Sequence, residues 1–239
     1  MSIIRYGGNI ISTGGKPATF PFYESAPGSP YLLYKFDGNL TPSIGAIGFS
    51  TAGSISYTTG KIVNGQALSF GEEGGIYSEG NLADIWFNNN SWPNSDLTVN
   101  FWLNYANVAD TLIYGYYDGT SYDDIIKLSV DGDGELTLYA NETDGAPGPV
   151  TCTGQIDEPG WNMITVVRYN TWYWKLYVNA VDQDNNLYFS VQRPGDVVSI
   201  GYTYGNTDYA SCQIDQMYWY LSDLTDAQIE QLYNFGIGI

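Results

Sequence analysis

Histidine is absent from the 239 residues. That absence excludes a Ser-His or Cys-His catalytic pair, an imidazole zinc site and a histidine general base, so any chemistry would rest on carboxylates. Basic residues are scarce as well: 8 Lys and Arg stand against 26 Asp and Glu, a formal net charge of −18 at pH 7. A surface of that sign repels phosphate backbones and anionic membranes, and nucleic acid is not an expected partner. Cysteine is limited to Cys152 and Cys212, too few for a disulfide framework; buried free thiols are expected over a single bridge. Long apolar runs are missing, none approaching the roughly 18 residues of a membrane span, so no membrane insertion is expected. The first eight residues break up before the apolar core of a signal peptide can form. If Met1 is the native start, synthesis and assembly in a cytoplasm follow as expectations.

What is present is core material. Hydrophobic residues make up 44% and aromatics 16%, with charged residues at 14%, which sets the chain apart from a disordered acidic tail. All-β sandwiches of this length are routinely single units. Residues 1–30 differ in kind: they hold Gly7, Gly8, Gly14, Gly15, Gly28, Pro17, Pro21, Pro27 and Pro30 without sustained periodicity, and carry +1 (Arg5 and Lys16 against Glu24), leaving −19 for the rest. Such a segment cannot bury enough to offset its ordering entropy. It is expected to serve as an extended anchoring arm, with Arg5, Tyr6, Lys16, Phe20 and Phe22 as assembly contacts on a neighbouring subunit; the plainer alternative is a tail lying across its own body.

From residue 31 the chain reads as short strands separated by turns. Leu97, Val99, Phe101 and Leu103 alternate with Thr98, Asn100, Trp102 and Asn104. The same period of two runs through Ile126, Leu128 and Val130, through Leu136 and Leu138, and through Trp172, Trp174, Leu176 and Val178. The end of the chain is marked most fully. Asp215, Met217 and Trp219 alternate with Gln216, Tyr218 and Tyr220. Thr225 and Gln228 then form a capping box, Ile229, Leu232 and Tyr233 share a helical face, and Gly236 offers a left-handed stop. This is the one helix expected.

A final strand of the form I-D-x-h-x-h-Y (h apolar), then L-[ST], then a helix ending L-Y-N, resembles the closing segment of laminin-G-like domains of the concanavalin A-like lectin/glucanase superfamily. Leu33–Gly38, Gly65–Phe70, Leu97–Leu103, Trp161–Val167 and Lys175–Asn179 fall in that family's order, covering about residues 31 to 236. The resemblance implies an all-β, two-sheet antiparallel jelly-roll sandwich at 31–239 with one short C-terminal helix. It also implies a binding module for sugars or proteins, more rarely a glycosidase. It further implies a structural calcium, for which Asp37 and Asp215 match carboxylates of the kind that hold one. Calcium takes six to eight oxygens, and the plainer role for both acids is to accept backbone hydrogen bonds at turns.

Three other stretches bear on function. Asp131-Gly132-Asp133-Gly134-Glu135 has Glu142 at the twelfth place of an EF-hand count, but Leu136 occupies the glycine position, and a hairpin turn accounts for it better. Glu142-Thr143-Asp144 resembles the start of the E-x-D-x-x-E signature of the superfamily's glucanases. Pro147 stands where the third acid belongs, so no enzyme activity and no catalytic residue are expected. Segments 84–93, 114–123 and 202–209 mix Tyr and Trp with Asn, Asp, Gly and Ser, the composition of binding loops. They nominate Trp86, Trp92, Tyr116, Tyr117, Tyr122, Asp123, Tyr202, Tyr204 and Tyr209 as ligand-binding residues; the alternative, weighed equally, is that these rings cover the edges of the core.

These readings point to a non-enzymatic virion structural protein, a phage capsid decoration or fibre subunit. Its sandwich would face outward, its arm would bind other virion subunits or copies of itself in a homo-oligomer, and surface glycans would be a possible ligand. A secreted or cell-surface carbohydrate-binding module, hence an extracellular protein, is the alternative.

Overall fold

The computed structural model describes residues 3–6, 9–12, 27–62, 65–79, 81–87, 96–105, 110–118, 123–141, 150–156, 160–170, 173–188, 196–204 and 209–237. Strands β1 (Ile3–Tyr6) and β2 (Asn9–Ser12) pair with each other and, among the described residues, with no other strand. Then follow β3 (Leu32–Tyr34), β4 (Ser50–Thr59), β5 (Gln66–Glu79) and helix α1 (Asn81–Phe87). Strands β6 (Leu97–Tyr105), β7 (Asp110–Asp118), β8 (Asp123–Val130), β9 (Glu135–Asn141), β10 (Val150–Gln155), β11 (Trp161–Tyr169), β12 (Tyr173–Val178), β13 (Val181–Tyr188), β14 (Val197–Ile200) and β15 (Cys212–Tyr220) precede the closing helix α2 (Asp226–Ile237).

The thirteen strands from β3 to β15 form one hydrogen-bonded sheet, ordered β10-β9-β8-β7-β14-β5-β15-β6-β11-β12-β13, with β3 on β15 and β4 on β5. The fold is all-β and sandwich-like, but the expected pair of separate sheets is replaced by one sheet rolled nearly closed. The cause is β5. Over fourteen residues it pairs with β15 through Leu68 and Ser69 and with β14 through Ile76 to Glu79, so a single strand belongs to both layers. A register shift against β4 between Gly53 and Ile55 bends it; Gly53 has φ 67°, and a Cβ there would lie 1.7 Å from the Glu73 carbonyl oxygen. The two ends of the roll meet where the Gln155 amide donates to Gln183 Oε1 at 3.3 Å.

One core fills the roll. Leu97, Val99, Phe101 and Leu103 from one layer meet Ile126, Leu128, Val130, Leu136 and Leu138 from the other, as their alternation predicts. At its centre Trp86 makes edge-on contacts with Trp174 (5.5 Å) and Trp219 (5.9 Å). The indole N–H groups of Trp174 and Trp219 are buried without a hydrogen-bond partner among the described residues. Each such orphan costs about 1–3 kcal/mol, which the burial of a Trp, about 200 Å² at ~25 cal/mol per Å², outweighs. Cys152 and Cys212 are both buried thiols outside any disulfide, as expected.

A second apolar cluster lies on the outside of β6, β11 and β15, where Trp102, Met163, Val167, Tyr218 and Tyr220 receive Leu224, Ile229 and Leu232. The outward face of these strands is therefore buried by α2. The capping box forms in both directions: Thr225 N–H donates to Gln228 Oε1 at 2.9 Å and Gln228 N–H to Thr225 Oγ1 at 3.4 Å. Helix α2 continues through Gly236 to Ile237, one residue beyond the predicted stop. No described helix is long and apolar enough to cross a membrane.

A second correction concerns α1, whose composition reads as an aromatic loop with Trp86 as a ligand contact. Leu82, Ile85 and Trp86 are buried on one helical face, and Trp86 is 0% exposed, with its indole N–H donating to the Ile126 carbonyl at 3.1 Å. The buried Arg168 caps the other end, donating Nη1 to Trp86 O (2.8 Å) and Nη2 to Ile85 O (3.0 Å). Burial lowers its pKa to about 9, against the opposing pull of Asp96, and it stays charged at neutral pH.

Candidate functional site

Three of the proposed ligand residues come together. Tyr202 and Tyr209 form an isolated antiparallel bridge and stack at 5.7 Å with an 18° tilt. Tyr204, 38% exposed, packs on Tyr202 at 6.4 Å and on Tyr77 of β5 at 5.9 Å. Strand β14 positions them: Ser199 pairs with Tyr77 on one side and Tyr114 on the other, and its hydroxyl donates to the Tyr202 carbonyl at 2.8 Å. Gly75 makes the room, since a Cβ there would fall 2.2 Å from the Tyr202 ring. Gly201, at φ 78° and with Phe70 packed against it, makes the turn into the segment.

Beside this cluster opens a groove of about 530 Å³ lined by Ala46, Ile47, Gly48, Ser50, Tyr77, Ser78 and Glu79. Tyr34 donates its hydroxyl to the Ile47 carbonyl and holds that wall. Tyr202 is driven well above the ordinary phenol value, first by burial and then by Tyr204, Tyr77 and Tyr209, so its hydroxyl stays protonated and able to donate. The Tyr77 ring, with Ser50 and the Glu79 carboxylate on the same lining, can stack against and hydrogen-bond a polyhydroxylated ligand.

The other nominated residues fare differently. Trp86 belongs to the core. Tyr116, Tyr117 and Asp123 lie in the β7–β8 hairpin, where the backbone pairs Tyr116 with Ile125 and Val197, Tyr117 with Asp124 and Asp118 with Asp123. Trp92 and Tyr122 lie outside the described residues, as do Lys16, Phe20, Phe22 and Glu142 to Asp144; Arg5 and Tyr6 are placed in β1 by backbone only. Tyr77, Ser50 and Glu79 line the candidate groove and were not nominated from the sequence. Gly74-Gly75 directly before an Ile-Tyr pair was the available signal, since paired glycines inside a strand mark a close approach by something bulky.

Asp37 and Asp215 converge on the turn between β4 and β5. Asp215 Oδ2 accepts the amides of Lys61 (2.8 Å) and Ile62 (3.4 Å), and Asp37 Oδ1 accepts that of Gln66 (2.8 Å). A bulge sets Asp215 there. Gln216 takes φ 47°, the register of β15 against β6 shifts between Asp215 and Tyr218, and Asp215 ends opposite Trp102, away from the Met217 face it was expected to share. Burial pushes the Asp215 carboxyl up to about 7, aided by the charge of Asp37 and opposed by the amide donors. Two carboxylates are a minority of the oxygens calcium takes, and no third His, Cys, Asp or Glu joins them among the described residues. A bound calcium would need backbone carbonyls and water to complete its shell. Asp131 does what a hairpin requires: its Oδ1 accepts the amides of Asp133 and Glu135.

The family model described as the concanavalin A-like lectin/glucanases superfamily, of laminin-G-like type, matches residues 79–230. The chain belongs to that superfamily. Among solved structures, this concanavalin A-like domain is similar to domain 4 of AbnA, a GH43 extracellular arabinanase from Geobacillus stearothermophilus, solved in complex with arabinotriose. The TM-score is 0.65 at 20% identity, covering 85% of this chain and 98% of that one. It is also similar to the binding domain of botulinum neurotoxin DC in complex with SialylT (TM-score 0.63, 11% identity, covering 86% and 51%). A structure concerned with botulinum neurotoxin type C and two ganglioside molecules gives a TM-score of 0.62 at 14% identity, covering 86% and 50%. The domain thus spans about half of the neurotoxin chains and nearly all of the arabinanase domain. At these identities the likeness is one of fold. No curated protein sequence matches the chain.

Proposed function

We propose that this chain is a carbohydrate-binding module without catalytic activity, taking saccharide in the groove beside Tyr77 and Tyr204. The observation that carries this reading is the Tyr77–Tyr204–Tyr202–Tyr209 cluster, whose member Tyr77 lines an open groove. Glycoside hydrolysis uses two carboxyl groups across the scissile bond, and Glu79 is the one acid on the described lining. Superfamily membership and neighbours of like fold solved with arabinotriose and with SialylT support a saccharide ligand. Glycan-array binding by the wild type and by Tyr204→Ala and Tyr77→Ala tests it. Loss of a stacking ring should weaken binding roughly tenfold, taking about 1.4 kcal/mol per ring. Array binding that survives both substitutions would move the ligand elsewhere.

A further reading concerns where the module is displayed. Strands β1 and β2 form a sheet of their own, and an isolated two-stranded hairpin is marginal in water, so it gains from a partner. Residues 1–30 would then anchor the domain to other subunits of a virion, or to copies of itself, with the saccharide groove facing outward. Particles lacking the protein, mixed with full-length chain or with chain lacking residues 1–30, test this; equal attachment by both removes the anchor and favours a secreted or cell-surface module.

A further inference from the structure

We propose a second saccharide-binding surface, formed by Tyr169, Tyr173 and Tyr188 on the outer face of β11–β13 and separate from the groove. The strand register sets the three tyrosines directly opposite one another, Tyr169 to Tyr173 and Tyr173 to Tyr188, in one row across three strands. Their rings lie 5.5 Å and 5.2 Å apart, the first pair stacked and the second edge-on. The adjacent residues along the strands, Trp174 and Leu187, point into the core, so the row faces out. Along the same face α2 takes over, with Tyr177 donating to Asp226 Oδ1 at 2.8 Å. The tyrosine row is the part of this layer that the helix leaves open: Tyr173 is 38% and Tyr188 52% exposed.

Polar groups rim the row. Tyr169 donates its hydroxyl to Asn186 Oδ1 at 3.1 Å, and Lys175 pairs with Asp182 at 2.8 Å, which cancels the local charge. Two arguments select a neutral saccharide over a protein. Taking about 200 Å² per tyrosine, those exposures leave roughly 200 Å² of ring, a quarter of the ~800 Å² each partner gives to a stable protein interface. A second copy of the chain would also bring its own −18, which opposes association, whereas an uncharged sugar meets no such field. Because the core lies between this row and the groove, the two surfaces face opposite ways, and one chain could join two saccharide strands.

Affinity electrophoresis in gels cast with neutral polysaccharides (arabinan, xylan, β-glucan, mannan) tests the proposal on the full chain. It compares wild type, Tyr204→Ala, and the double variant Tyr173→Ala with Tyr188→Ala, whose exposed positions spare the core; circular dichroism checks the fold. The expected result is that at least one gel retards the wild type, that the double variant loses threefold or more of that retardation, and that Tyr204→Ala retains the part the double variant loses. Retardation unchanged in the double variant, or absent for wild type in every gel, overturns it. So does a dimer in sedimentation velocity that Tyr188→Ala dissolves, which would make the row a self-association surface. Loss in the double variant with none in Tyr204→Ala would uphold this surface and refute the groove.

Discussion

The ring of Tyr202 rests directly on Gly75, with no space between them for a methyl group. Gly75→Ala should therefore push Tyr202 off its stack with Tyr209, destabilising the fold by about 1–3 kcal/mol as overpacking does and weakening saccharide binding with it. Gly71→Ala, where a Cβ meets nothing within 4 Å, is the matched control. Urea denaturation and glycan binding on the two variants check this, and equal behaviour would refute the cradle.

Asn179 and Ala180 join β12 to β13 with φ values of 51° and 64°. Two positive φ values make a turn that favours Asn-Gly, and alanine is strained at the second position. Ala180→Gly should raise stability by about 0.5–1 kcal/mol, seen as a higher urea midpoint at unchanged slope.

Arg168 bonds two carbonyls at the end of α1 from a fully buried position. Arg168→Met should cost about 2–4 kcal/mol, because both carbonyls lose their donor in an apolar surrounding. Arg168→Lys should recover only part, since an ammonium lacks the guanidinium fork. Chemical denaturation ranks the three chains.

The Asp215 carboxyl has an ordinary value of 3.8 and is raised to about 7 in the fold. Between those values the folded chain holds a proton that the unfolded chain has released, so stability should fall as pH rises through that window, by about 1.4 kcal/mol for each step of one in pH. Asp215→Asn should flatten the slope. If Asp37 and Asp215 hold a calcium ion, added calcium, compared with chelator, should raise the melting temperature above pH 7, because a cation favours the ionised pair. An unchanged melting temperature leaves Asp37 and Asp215 as pins of the β4–β5 turn.

Strand and core positions were legible wherever one face is apolar and the other is not, as in Ile126, Leu128 and Val130, and the capping box of Thr225 and Gln228 formed as written. Local chemistry fixes both. What was not legible depends on distant partners. Trp86 sits among Asn and Asp and reads as a loop residue by composition; only the spacing of Leu82, Ile85 and Trp86 betrays a helix, and only Arg168, 82 residues away, explains where it ends. The bulge at Gln216 carries no glycine, so nothing in the sequence marks the switch that places Asp215 beside Trp102. Tyr202, Tyr204 and Tyr209 were nominated by composition and do cluster, but Tyr77 joins them only because β5 and β14 are neighbours in the sheet.

Strand β5 also governs how the molecule comes apart. Since its first half is laced to β15 and its second to β14, neither wall of the roll can melt while the other stands, and denaturation should be all-or-none. New chain ends opened by circular permutation near Gly71 would sever that shared rib and leave β4, which pairs with both halves of β5, to hold the two walls together, whereas ends opened at the Asp131–Gly134 hairpin would leave it whole.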